Sequence, residues 1–283
     1  MSAKDKLNKL NSRIWELDFL RGVCILLMVM DHFLFDVGFM FDDAWKESGG
    51  EKLIAFVEFA RDYWHMPLRI VTREIVLWTF FMISGISNSF SKSNIRRGLQ
   101  LMFVALIITI VTTFLANRYD AFIGFEIRFG VLHMIASCIL IWVIIDLIMR
   151  DKYKTAAACF AVAIVVLVIY SEIDLIAARI TDKKDWYIIF SEEFALSYNF
   201  SPGDYFPLIP HLGMFMAGAA IGPVIYRNKK TLLPFLDKFR WYRPVNFFGR
   251  HTLEIVILHQ PLISALLAII SYLFITKGDF VIV

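Results

Sequence analysis

Seven long apolar runs, each closed by a polar cluster, set the rhythm of this chain. They cover roughly residues 17–40, 73–90, 98–116, 129–149, 155–171, 205–226 and 251–275. About 20 mostly apolar residues suffice for a helix to cross the hydrocarbon of a bilayer. The pattern predicts an all-α polytopic membrane protein, a bundle of about seven transmembrane helices with a buried polar cavity, forming one domain over residues 1–283. The fifth run, KTAAACFAVAIVVLVIY, is short and purely apolar and is expected to be peripheral scaffold facing lipid. Two connections are long. Residues 41–72 hold EKLIAFVEFARDYWHM, whose apolar positions recur at helical spacing and whose Tyr63 and Trp64 suit a membrane interface. Residues 171–204 are acidic and aromatic and end in SPGD. The chain has no internal repeat, which weighs against a transporter built from inverted halves.

Composition agrees with lipid as the solvent. The chain is 58% hydrophobic with a mean hydropathy of +0.63, against about 45–50% apolar for a soluble domain. Its net charge of +3 implies no nucleic-acid partner, because the cations stand where a membrane topology needs them. The N-terminal segment and the connections 91–97, 150–154 and 227–246 are rich in Lys and Arg, opposed by Asp5, Asp151 and Asp237. Basic loops mark the cytoplasmic side, so the N-terminus is expected in the cytoplasm and, with seven spans, the C-terminus outside. The N-terminus does not read as a cleavable signal peptide, since the run after its basic segment is too long and too polar. Cys24, Cys138 and Cys159 all lie in apolar runs and read as packing residues. No disulfide framework, metal site or haem is expected.

Ionisable groups inside spans cost about 2.5–3.5 kcal/mol each at the helix centre and are functional candidates by default. The first span, LDFLRGVCILLMVMDHFLFD, carries Asp18, Arg21, His32 and Asp36. From Arg21 to His32 is roughly 1100° of helical rotation, about 20° from three full turns, over an axial distance of about 16 Å. Asp18 and Asp36 join the same stripe at spacings of three and four. In the sixth span, GDYFPLIPHLGMFMAGAAIG, Asp204 and His211 share one face. Pro207 and Pro210 break its first turn, and Gly218 and Gly222 form a close-packing pair. The last span, FGRHTLEIVILHQP, offers Arg250 and Glu254 at the spacing of an ion pair, and His259 before Pro261. Arg128 and His133 begin the fourth span. Glu74, then Ser84, Gly85, Ser87 and Asn88, mark the two ends of the second, with His65 just before it.

Four stretches, RIWELDFLRGVCILLMVMDHF, FFMISGISNSFSK, DYFPLIPHLGMFMAGAAIG and FGRHTLEIVILHQP, in this order and on these spans, resemble the heparan-alpha-glucosaminide N-acetyltransferase catalytic-domain family in its small bacterial members. The resemblance runs from residue 13 to about 270. The first stretch is also similar to the acyltransferase-3 pattern of a basic residue, ten intervening residues and a His, here Arg21 and His32. The resemblance implies a transmembrane acyltransferase of the bacterial cytoplasmic (inner) membrane. It would take an acyl group, acetyl above all, from cytoplasmic acyl-CoA to a sugar or small acceptor reached from outside. His32 is then the catalytic candidate and Arg21 holds the CoA end. By position His65 matches the catalytic His that the heparan enzyme carries in its external loop, and we favour His32 of the two.

The chemistry stands without the family. Acyl transfer from a thioester needs a base for the acceptor hydroxyl or amine, or a nucleophile, and a buried neutral imidazole serves as either. Asp31 or Asp36 would orient the ring. CoA phosphates would meet Arg21, beside Asp18, with Lys92, Arg96 and Arg97 and with Ser84 at the inner end of the second span. Glu74, Asp204, His211, Arg128, His133 and His259 would face the acceptor. Rival readings are a proton-coupled transporter or flippase using the same charges, and a b-type haem protein using His32, His133, His211 and His259 as axial ligands. Partners implied are membrane lipids, acyl-CoA and a small-molecule or glycan acceptor; a homodimer is left open.

Overall fold

The computed structural model describes residues 14–119, 125–194, 204–227, 229–237 and 241–275. Among these, every regular element is helical, and seven helices are long and apolar enough to cross a membrane: Trp15–Met40, Pro67–Ser89, Asn94–Arg118, Val131–Met149, Lys152–Ser171, Leu208–Ile225 and Thr252–Leu273. The chain is an all-α polytopic membrane protein, as its hydropathy predicts. In order the helices are α1 (Trp15–Phe35), α2 (Asp42–Ser48), α3 (Glu51–His65), α4 (Pro67–Ser89), α5 (Asn94–Arg118), α6 (Val131–Met149), α7 (Lys152–Ser171), α8 (Ile173–Arg179), α9 (Leu208–Ile225), α10 (Pro234–Asp237), α11 (Arg243–Arg250) and α12 (Thr252–Ile270). The first and last spans end in π-helical turns, Asp36–Met40 and Ser271–Ile275. The helices gather into two compact units, Met1–Phe80 with Thr231–Val283, and Phe81–Lys230.

In the first unit α1 lies against α11 through glycines on both sides. A Cβ on Gly22 would fall 2.1 Å from the Val245 carbonyl oxygen, and one on Gly249 would fall 1.8 Å from that of Asp18. Only hydrogen in those positions lets the two backbones meet. Trp15 stacks on Tyr242 at 4.3 Å, and the Asn246 side-chain amide donates to the Trp15 carbonyl at 3.2 Å. Further along, Leu34, Val37, Phe41, Trp45, Val57, Ala60 and Leu267 form a buried apolar cluster that seats the amphipathic helix α3. Arg61 of α3 donates to the Gly38 carbonyl at 2.9 Å and pairs with Asp42.

In the second unit the fifth span, α7, exposes Phe160, Ile164, Val165 and Val168 on one side and packs through the other. Its small residues Thr155, Ala156, Cys159, Ala163 and Val166 form a buried stripe, and Gly213 of α9 rests on Ala163, Val166 and Leu167. The third span, α5, is more exposed than α7, with only Asn94, Gly98 and Ala105 buried. The glycine pair of the sixth span packs closely, as its spacing suggests. Gly218 lies against the Met82 carbonyl and Gly222 against Ile86, while Gly85 returns the contact to Phe215. Cys24, Cys138 and Cys159 are free and buried.

Candidate active site

α1 carries the polar stripe. At its N-terminal end Arg21 donates to Asp18 at 3.1 Å and to the Gly249 carbonyl at 3.3 Å. Arg250 of α11 reaches the other oxygen of Asp18 at 3.3 Å. Two guanidiniums therefore converge on one carboxylate. The expected Arg250–Glu254 pair does not form. The helix breaks at His251, between α11 and α12, so the i,i+4 spacing no longer describes one face, and Glu254 approaches His251 instead.

Three turns on, His32 donates Nδ1–H to the Met28 carbonyl one turn below, at 2.9 Å. That bond fixes the tautomer: in the neutral ring the lone pair is left on Nε2. His259 of α12 is built the same way. Its Nδ1 donates to the carbonyls of Ile255 and Val256, both at 3.0 Å. Among the described residues its buried Nε2 has no hydrogen-bond partner. The two rings meet edge to face, 4.8 Å between centroids and 86° between planes. That contact leaves no room for a porphyrin between them.

Neither Asp31 nor Asp36 orients the His32 ring, contrary to expectation, because the helix backbone already holds it. Asp36 is fully buried and accepts from Gln260 at 2.8 Å and Ser264 at 3.0 Å, both on α12. The side-chain oxygen of Gln260 is in turn buried and, among the described residues, has no partner. Asp31 takes a two-pronged bond from Arg69 of α4, through Nε at 2.9 Å and through Nη2, and a third from the Tyr63 hydroxyl at 3.1 Å. The Arg69 guanidinium also lies over the Trp64 ring at 3.6 Å. Arg69, Tyr63, Gln260 and Ser264 were not candidates from the sequence. For Arg69 a signal existed, since Pro67 favours the first position of a helix, which places Arg69 on the span and not in the loop before it.

Burial, and secondly the Asp31 carboxylate, raise the Tyr63 phenol above its ordinary value. A raised acid contributes stability that is complete below its unfolded value of about 10 and is lost as pH rises through the higher folded one. The melting difference between wild type and Tyr63→Phe is expected to stay constant from pH 7 to about pH 10 and to shrink only above it. A difference already falling by pH 8 on the same melting curves would contradict this assignment.

His65 ends α3 and is exposed. Glu74 is exposed and pairs with its neighbour Arg73 at 3.0 Å. In the second unit, His211 donates Nδ1–H to the Pro207 carbonyl at 2.7 Å, the oxygen freed where Ile209 departs from helical geometry. Its ring sits between Phe81 and Phe206. Asp204 does not share a helical face with His211, because α9 starts only at Leu208; its carboxylate accepts from the Val131 N–H at 3.1 Å and caps α6. His133 uses both ring nitrogens. Nδ1 accepts from the Gly130 N–H at 3.3 Å, so Nε2–H faces the Thr109 hydroxyl at 3.1 Å, which itself donates to the Ile127 carbonyl. Such a closed circuit leaves no ring nitrogen for a substrate. Arg128 is exposed beside Glu126 at 3.7 Å. Ser84 is half-buried, Arg96 is exposed, and Arg97 donates to Asn94 at 3.3 Å. Among the described residues no three His, Cys, Asp or Glu side chains are grouped to hold a metal ion.

Seven helices long and apolar enough to cross a membrane make this an integral membrane protein of the polytopic helical class. Residues 13–49 and 51–261 match the family described as heparan-alpha-glucosaminide N-acetyltransferase, catalytic, and the chain belongs to that family. It is thereby a transmembrane acetyltransferase, and the family implies acetyl-CoA as its co-substrate. No curated protein and no solved structure matches the chain.

Proposed function

We propose that the protein moves an acetyl group from cytoplasmic acetyl-CoA to an amine or hydroxyl of a sugar or small acceptor reached from the opposite side, in a bacterial inner membrane with the N-terminus cytoplasmic. The observation that supports this reading is the His32 ring, whose Nδ1–H is tied to the Met28 carbonyl so that Nε2 is a ready base. The acceptor nitrogen or oxygen attacks the thioester carbonyl and gives its proton to Nε2; the carbon–sulfur bond breaks and the thiolate regains a proton. Arg21 and Arg250, drawn together by Asp18 at the N-terminal end of α1, suit the phosphates of CoA. The carboxylate of Asp31, clamped by Arg69 beside Trp64, adjoins His32 on α1. The family match crosses both compact units, which supports one acyltransferase domain.

The test is transfer of labelled acetyl from acetyl-CoA to glucosamine and to simple amines and polyols by the detergent-purified protein. Acetylated product with matching release of CoA is expected. A second reading, a proton-coupled transporter, draws on Asp36, a fully buried carboxylate held by two neutral side chains. Proton uptake driven by a substrate in proteoliposomes, with no acetylated product and no CoA release, would replace the first reading by the second.

A further inference from the structure

Acetyl transfer by a lone base leaves a positive imidazolium inside a lipid-embedded site until the thiolate is protonated. An isolated charge there is costly, so the groups next to His32 decide how that charge is held. The carboxylates around it already have hydrogen-bond partners. Asp31 is occupied by Arg69 of α4 and Tyr63 of α3, Asp36 by Gln260 and Ser264 of α12, Asp18 by Arg21 and by Arg250 of α11, and Glu254 faces His251. What faces the ring is His259, 4.8 Å away. Its tautomer is set by the same device, a donation from Nδ1 to carbonyls of its own helix. Its Nε2 is a buried lone pair to which no group among the described residues donates.

We infer that His32 and His259 form a proton-sharing pair, and that His259 is the positioning partner that stabilises the proton His32 takes from the acceptor. This rests on the acetyltransferase reading. Two imidazoles with parallel tautomers bind one proton between them. The rings already meet edge to face with centroids 4.8 Å apart, and a second positive charge so close is repelled. The step balances. The acceptor's N–H or O–H proton passes to Nε2 of His32 as its lone pair bonds to the acetyl carbon. The imidazolium is held against the His259 lone pair. Collapse of the tetrahedral adduct expels the CoA thiolate, which recovers the same proton, and both rings end neutral. Asp36, one turn beyond His32, accepts from Gln260, the residue after His259, and that bond holds α1 and α12 in register.

The experiment joins a spectroscopic arm to a kinetic one, on the full chain in detergent. In the first, ¹⁵N-histidine NMR follows wild type, His259→Asn and His259→Gln across pH. Asn keeps an amide donor for the Ile255 carbonyl and removes Nε2; Gln places a non-titrating amide at the Nε2 position. The His32 and His259 signals are expected to titrate together in wild type, and the His32 midpoint to move in both variants. In the second arm, both variants are expected to lose kcat on the order of 10²-fold, with the acetyl-CoA KM within about threefold of wild type. The double variant with His32→Gln is expected to be no slower than His32→Gln alone, because one shared proton is lost only once. A His32 titration curve unchanged in a monodisperse His259→Asn protein overturns the pair, as do losses that multiply in the double variant. If wild type titrates as a coupled pair yet transfers no acetyl group, the acetyltransferase reading has failed and the proton-sharing pair stands.

Discussion

Replacing His32 by glutamine is expected to slow acetyl transfer about 10²–10⁴-fold, the usual contribution of a positioned general base, while binding of acetyl-CoA survives. The same substitution at His65 is expected to leave the rate within about threefold of wild type. The contrast follows from their surroundings. His32 lies on a spanning helix with its tautomer fixed and a second imidazole against it. His65 sits exposed at the end of α3, where no hydrogen bond among the described residues fixes its tautomer. Initial rates on purified variants, with acetyl-CoA binding measured separately by calorimetry, decide between them. A dead His65→Gln beside an active His32→Gln would move the base to the loop and remove the role given to α1.

Loss of Asp31 is expected to be the most damaging single change to stability. Asp31→Ala leaves the Arg69 guanidinium, only 9% exposed, without its carboxylate. Breaking one partner of a buried pair costs about 3–5 kcal/mol. The neighbouring Trp64 ring and Tyr63 hydroxyl offset little of that, since the first contributes about 0.5–2 kcal/mol and the second is a neutral group that does not replace a carboxylate. Removing both charges, as Asp31→Leu with Arg69→Met, is expected to recover most of the loss, because paired burial of ions is itself expensive. Thermal melting by size-exclusion chromatography measures all three proteins. An Asp31→Ala variant that melts with wild type would show that the clamp is not structural.

The spans were legible because hydropathy over twenty residues is a strong signal, and each crossing helix falls where the apolar run lies. Their ends were less so. The second span begins at Pro67 and not at residue 73, since Arg69 finds Asp31 and can enter the helix; a sequence shows the charge but not its partner. The stripe on α1 was legible from rotation alone. What each carboxylate does was not. Helical spacing offered Asp31 or Asp36 to His32, yet the carbonyl of Met28 is nearer than either and is present in any helix. Spacing also misled wherever the helix was not continuous: at His251, which parts Arg250 from Glu254, and at Pro207, which leaves Asp204 outside α9. The fifth span reads as featureless because small residues are apolar on any scale, although Ala156, Cys159 and Ala163 are what let α9 come close. The facing of His32 and His259, 227 positions apart by their numbers, leaves no trace in local pattern.

The bonds that close the first unit also set a timetable for synthesis. The first span emerges with a carboxylate, Asp36, whose partners Gln260 and Ser264 follow 224 and 228 residues later. Trp45 likewise waits for Ser271, and Asp18 for Arg250. Until the ribosome has released nearly the whole chain, α1 carries acidic groups into the membrane with their final partners still unmade. At a rate of roughly 5–20 residues per second that interval is on the order of ten seconds or more, long enough for quality-control proteases or insertion chaperones to act. A nascent chain stalled before α12 would therefore present an acid-bearing first span as its mark of incompleteness.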